Sequence, residues 1–150
     1  MIKGLESGKV KRYVTDFATP EIVGVKNTVV IPHLGASTAE AEDNCAVMAA
    51  EEIRDFLENG NIKNSVNFPN TDMGVCQTEG RIAILHRNIP NMLTQFTSIF
   101  SKDNINITEM SNKTKGKYSY AIFDVESVVD EEAINEIAAI DGVLKVRLIK

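Results

Sequence analysis

Apolar and polar positions change period several times along the chain, and each change predicts an element. Residues 1–7 place Ile2 and Leu5 on one side and end at Gly8, as in the last turn or two of a helix. That helix starts at residue 1 without a capping residue, which predicts that the chain opens inside something larger. Val10–Thr15 and Asn27–Ile31 read as strands. The second is a β-branched run without alternation, expected where a sheet is covered on both faces. Ser37 and Glu40 have capping-box spacing. They precede a helix to about Glu58 with Cys45, Met48, Ala49, Ile53, Phe56 and Leu57 at helical intervals. Asn59-Gly60-Asn61 stops it. Residues 61–80 hold Pro69, Gly74 and Gly80 and little periodicity, so they read as a linker with a short strand at 65–68.

The second half alternates more regularly. Arg81–Leu85 is a strand, and Asn91–Asp103 is a helix with Met92, Leu93, Phe96, Ile99 and Phe100 on one face. Ile105–Lys113 is a strand, and Lys115-Gly116 turns the chain. Lys117–Val125 follows with Tyr118, Tyr120, Ile122 and Asp124 on one side and Ala121, Phe123 and Val125 on the other. Glu131–Ala139 is a helix, Asp141-Gly142 a turn and Val143–Ile149 a last strand. The order βαββαβ is the ferredoxin-like α+β arrangement. The expected division is 1–62, a linker over 63–80, and a complete domain over 81–150.

Composition narrows the class. The chain has 150 residues, 16 Lys plus Arg against 21 Asp plus Glu, and a net charge of −5. That balance does not suit a protein that holds nucleic acid or an anionic membrane. No apolar run nears membrane length, and the first residues lack a secretory pattern. Cys45 and Cys76 form no Cys-x-x-Cys pair, no metal-ligand spacing occurs, and two reduced thiols in a cytoplasmic protein are expected.

Chemistry gathers at two places. If the strands 10–15 and 27–31 are parallel neighbours, their C-terminal ends share an edge, where open α/β sheets bind ligands. Asp16 and Glu21 follow the first and His33 the second. A carboxylate that orients an imidazole makes a general acid–base pair, although the same residues also suit an ordinary surface hydrogen bond. Farther on, His86 and Asn88 precede the helix at Asn91, whose N-terminus offers free N–H groups to a carboxylate. Asn88 equally suits a simple cap.

Pro32-His33-Leu34-Gly35-Ala36-Ser37-Thr38-Ala39-Glu40-Ala41 resembles the histidine segment of the D-2-hydroxyacid dehydrogenase family, above all its phosphoglycerate dehydrogenase branch. Leu5-Glu6-Ser7-Gly8-Lys9-Val10, Asp16-Phe17, Glu21 and Ser65-Val66-Asn67-Phe68-Pro69 are similar to neighbouring stretches of that family, in the same order. The βαββαβ unit stands where its regulatory ACT domain follows. The resemblance implies the end of a Rossmann-like NAD-binding domain, then a ferredoxin-like ACT domain: a C-terminal part of a longer enzyme, inactive alone. It implies His33 as the acid–base and Glu21 as its partner. Asp16, His33 and Gly35 would lie beside NAD. It implies oxidation of 3-phosphoglycerate to 3-phosphohydroxypyruvate in L-serine biosynthesis, and a homo-oligomer joined through ACT domains. His86, Asn88 and Asn106 match positions that bind L-serine between two such domains, with Asn91 where glycine is usual. The chain departs from the family in having no Gly-x-Gly-x-x-Gly. Lys11-Arg12-Tyr13 is also more polar than the family's strand. A free-standing amino-acid-binding or dimerisation module, and a dehydrogenase of another 2-hydroxy acid, remain the alternatives.

Overall fold

A computed structural model describes residues 1–150. The elements in order are α1 (Ile2–Glu6), β1 (Tyr13–Thr15), β2 (Thr28–Val30), α2 (Ala39–Asn59), β3 (Gly80–Arg87), α3 (Met92–Lys102), β4 (Ile107–Lys115), β5 (Tyr118–Val125), α4 (Glu131–Ala139) and β6 (Val143–Leu148). They fall into two units, Met1–Met48 and Ala49–Lys150.

The first unit is slight. β1 and β2 pair in parallel, with Tyr13 opposite Thr28 and Thr15 opposite Val30. Each strand is three residues, shorter than the expected six and five. The polar Lys11 and Arg12 stay outside the ladder, and Asn27 turns into β2 with φ of 65°. Leu5 and Ile22 are buried, while Val14, Val29, Val30, Ile31 and Leu34 stay exposed. The cap of α2 is Thr38, whose hydroxyl accepts from Ala41 N–H at 3.1 Å, and not Ser37.

The second unit contains a four-stranded sheet in the order β4-β5-β3-β6, all neighbours antiparallel. This is the expected βαββαβ topology. β5 is buried on both faces because its two sides serve two cores, in the division that its alternation predicts. Ala121, Phe123 and Val125 join Ile82, Ile84, Phe96, Phe100, Ala133 and Ile137 beneath α3 and α4. Tyr120 and Ile122 join Ala83 and Ile62 on the outer face, with Phe56, Phe68, Met73, Leu85 and Ile149 against them. The cap of α4 is Asp130, which accepts from Ala133 N–H at 2.8 Å. Asn91 opens α3 in the left-handed region, with φ of 70°, a backbone state that asparagine tolerates. β4 begins at Ile107, two residues later than expected, and carries a bulge between Ile107 and Glu109.

The outer face is where the structure departs most from the expected division. Residues 61–80 are not a free linker. Ile62 and Thr71 form an antiparallel bridge in place of the expected strand at 65–68, and the loop between them lays Phe68 on Tyr120 and Tyr118. The last turns of α2 belong to the same unit, and Gly60 ends them with φ of 76°. Tyr120 Oη donates to the Gly60 carbonyl at 2.7 Å. The left-handed backbone at Gly60, not crowding against that hydroxyl, is what favours glycine there.

Burial pushes the Tyr120 phenol up from 10.0 to about 12. Its folded pKa exceeds its unfolded one. Its contribution to stability is therefore whole below about pH 10 and lost as pH rises through about 12. Tyr120→Phe should cost about 1 kcal/mol at neutral pH by stranding the Gly60 carbonyl. In an alkaline absorbance titration it should also remove the step near pH 12.

Candidate functional site

The parallel pairing of β1 and β2 brings Asp16 and His33 to one edge, as the sequence pattern requires. Asp16 directly follows β1 and His33 lies three residues past β2. His33 Nδ1 lies 2.9 Å from Asp16 Oδ2. A carboxylate only accepts, so this contact places a proton on Nδ1 and leaves Nε2 to face a ligand. Phe17 stands edge-on to the imidazole, with ring centroids 5.5 Å apart. The His33 side chain remains 62% exposed.

Glu21, the expected partner of His33, is not the carboxylate on the ring. Asp16 is next to the paired residue Thr15, so the strand register carries it to His33. Glu21 lies five residues farther along the loop and bonds locally. The Thr19 hydroxyl and its own backbone N–H hold its carboxyl below the usual 4.5. Gly35 lies two residues beyond His33, with open space on the side where a Cβ would stand. Asp16, His33 and Gly35 thus share one accessible edge.

The residues expected to bind an effector occupy two separate hollows of the second unit. His86, Asn88, Asn91, Met92, Thr94 and Asn112 line a cavity of about 190 Å³ at the N-terminus of α3. Asn106 lines another of about 350 Å³ with Thr97, Phe100, Ser101, Asn104 and Ile105. They lie at opposite ends of β4: Asn106 O accepts from Glu126 N–H beyond the end of β5, while His86 stands opposite Ser119 at its start. Within one chain, then, His86 and Asn88 do not meet Asn106. His86 is 2% exposed and stands edge-on to Phe96. Asn88 does not cap α3. Its amide donates to the Gly116 carbonyl at 3.4 Å, and Asn91 takes the N-cap position.

Two polar residues stand out only in the structure. Asn112 reaches His86 from β4, and its one sequence signal is an asparagine inside a strand, where that residue is uncommon. Arg81 is wholly buried and uses all five N–H groups. Nε donates to Asp124 Oδ1 (2.5 Å) and Nη2 to Asp124 Oδ2 (2.7 Å). The Asn59, Gly74 and Met73 carbonyls take the rest, at 2.9, 2.6 and 3.1 Å. Asp124 holds the guanidinium above its ordinary pKa. No group of three or more His, Cys, Asp or Glu side chains is placed to hold a metal, and no helix is long and apolar enough to cross a membrane.

A family model described as the AHAS small subunit-like ACT domain matches residues 82–145. D-3-phosphoglycerate dehydrogenase of Haemophilus influenzae is 31% identical over 123 residues, covering 82% of this chain and 30% of that protein. The enzyme of the same name from Escherichia coli is 29% identical over 137 residues, covering 90% of this chain and 33% of its own length. That of Dictyostelium discoideum is 30% identical over 129 residues, covering 86% and 31%. The chain therefore spans about a third of the length of these relatives. Among solved structures, the ACT domain from GTP pyrophosphokinase of Chlorobium tepidum aligns over 46% of this chain and 94% of its own, with 18% identity and a TM-score of 0.41. With the βαββαβ sheet and the matched residues in agreement, the chain carries a ferredoxin-like ACT domain after an α/β segment, and along most of its length it is a relative of the D-3-phosphoglycerate dehydrogenases.

Proposed function

We propose that this chain is the part of a D-3-phosphoglycerate dehydrogenase that bears the acid–base histidine and an ACT domain for amino-acid regulation and oligomerisation. The observation that carries the reading is the single run of similarity that includes both the His33 edge and the ACT sheet. The reaction is the NAD-dependent oxidation of 3-phosphoglycerate to 3-phosphohydroxypyruvate, at the start of L-serine biosynthesis. NAD, when bound, supplies the hydride chemistry at C2 of the substrate. His33 Nε2 takes the proton of the C2 hydroxyl and returns it in the reverse direction. A carboxylate at Nδ1 fixes the ring's orientation and stabilises the imidazolium that forms. In the structure that carboxylate is Asp16; the resemblance assigns the role in the assembled enzyme to Glu21, which would leave Asp16 and Gly35 to line the nicotinamide end. This sequence has no glycine-rich loop, so the pyrophosphate must be held by residues outside it. The chain alone should accordingly show no turnover.

In the second unit, His86 and Asn88 of one copy and Asn106 of another form an L-serine site. β4 is an edge strand of nine residues with its outer backbone unpaired. Antiparallel pairing of two such edges about a twofold axis sets the start of one β4 beside the end of the other. That joins the two hollows that one chain keeps apart. A second reading, a self-contained ACT module, draws on the second unit's complete core of its own.

Thermal unfolding with ligands separates the two assignments. L-serine at 100 times its Kd should stabilise the chain by about 2.7 kcal/mol, and NAD should leave it unchanged. No response to L-serine at millimolar concentration would remove the serine assignment.

A further inference from the structure

We propose that Asn112 is the residue that positions His86 for effector recognition and adds a further polar determinant to that cavity. The proposal deepens the effector reading above and rests on it for the identity of the ligand. Both imidazole nitrogens of His86 are already engaged inside the protein. Nδ1 lies 2.9 Å from the Arg87 carbonyl and Nε2 lies 3.1 Å from Asn112 Oδ1. A backbone carbonyl only accepts, so Nδ1 carries a proton in every state of the ring. Nε2 is then the variable atom, and its partner is Asn112. An asparagine amide suits Nε2 in either condition. Its oxygen accepts from a protonated Nε2, and after a half-turn its NH2 donates to a bare one.

The contact crosses a whole strand, and small side chains on β5 make room for it. His86 stands opposite Ser119 on β5, and Ser119 stands opposite Thr114 on β4. Asn112 stands in the next row, opposite Ala121, with Ile84 beyond. Ser119 and Ala121 leave the gap through which the imidazole and the amide meet above the sheet. Phe96 of α3 closes the far side of the ring with a centroid distance of 5.3 Å. The imidazole is therefore fixed by three contacts on three elements, and it is nearly solvent-free. A ligand in the cavity meets the edge of a held ring and the outer atom of the Asn112 amide. Asn88 and Thr94 stand beside them. Such a set suits a small molecule with both donors and acceptors, as an α-amino acid has.

The test is clean because His33 and His86 are the only histidines. Long-range 1H–15N spectra of the full chain report the proton on each ring nitrogen. In the wild type at pH 7.5, His86 should show one fixed form with Nδ1 protonated. In Asn112→Leu and in Asn112→Ala the Nε2 resonance of His86 should move as that nitrogen loses its amide partner, with Nδ1 still protonated against the Arg87 carbonyl and His33 unchanged. L-serine, titrated by calorimetry, should bind both variants about 3- to 10-fold more weakly, the share of one neutral hydrogen bond. Unchanged His86 nitrogen shifts in both variants would overturn the positioning role. Changed shifts with equal serine affinity would overturn Asn112 as a determinant of recognition. Changed shifts with no serine binding by the wild type would support the positioning role and overturn the effector reading on which the ligand rests.

Discussion

Replacing Arg81 with alanine should destabilise the second unit by about 3–5 kcal/mol, the usual cost of breaking a buried ion pair. For a unit of about 100 residues with stability of roughly 5–15 kcal/mol, that is a large share. The melting temperature should fall by more than about 10 °C. The cause is specific. Asp124 would be left without its guanidinium partner in a site with almost no water, and the Asn59 and Met73 carbonyls would lose their donor together while Gly74 would keep only Asn61. Because those carbonyls belong to the end of α2 and to the loop after it, hydrogen exchange should accelerate first over residues 59–75. The sheet itself should follow later. The double variant Arg81→Met, Asp124→Leu should recover much of the loss, since two apolar groups of similar bulk leave no bare charge. A double variant as unstable as the Arg81→Ala single variant would show that the carbonyl contacts, and not the ion pair, hold the outer face.

The second large effect concerns catalysis. In a hybrid where this chain replaces the matching segment of the Haemophilus influenzae enzyme, His33→Asn should lower kcat by about 10²–10⁴-fold, the range for losing a general acid–base. Substrate binding should change far less, since asparagine keeps a polar group of similar size. The two neighbouring carboxylates then separate by role. Glu21→Gln should reduce kcat, as loss of the group that steadies the imidazolium. Asp16→Asn should act mainly on the KM for NADH. In the structure it is Asp16 that touches His33 Nδ1. A greater loss of kcat with Asp16→Asn than with Glu21→Gln would assign the ring to Asp16 in the working enzyme as well.

How much of this was legible in the sequence follows from how local each signal is. The two faces of β5 were readable because alternation is a property of one strand, and Tyr120 and Ile122 lie opposite in facing to Ala121 and Phe123. The shared edge of Asp16 and His33 was readable from two short strands and the rule for parallel sheets. The pairing within that edge was not, because it depends on register: Thr15 meets Val30, and Asp16 arrives first. The role of Arg81 was invisible. A charged residue at the start of a strand reads as solvent-facing until the chain is seen to fold back over it. Its partners lie 43 residues ahead and 22 residues behind. Residues 61–80 read as linker for the same reason. Their order comes from one bridge, one aromatic contact and hydrogen bonds to a distant guanidinium, none of which leaves a period in the sequence. Asn106 and His86 matched one site by resemblance, yet they stand at opposite ends of β4. Geometry within one chain separates what a second copy would join.

The most direct measurement of the proposed function is NADH oxidation by that hybrid with 3-phosphohydroxypyruvate as substrate, in the absence and presence of L-serine. Turnover that requires His33 and falls as L-serine is added is the expected result. A folded hybrid that binds NADH but shows no turnover above blank would contradict the assignment of this chain to the reaction.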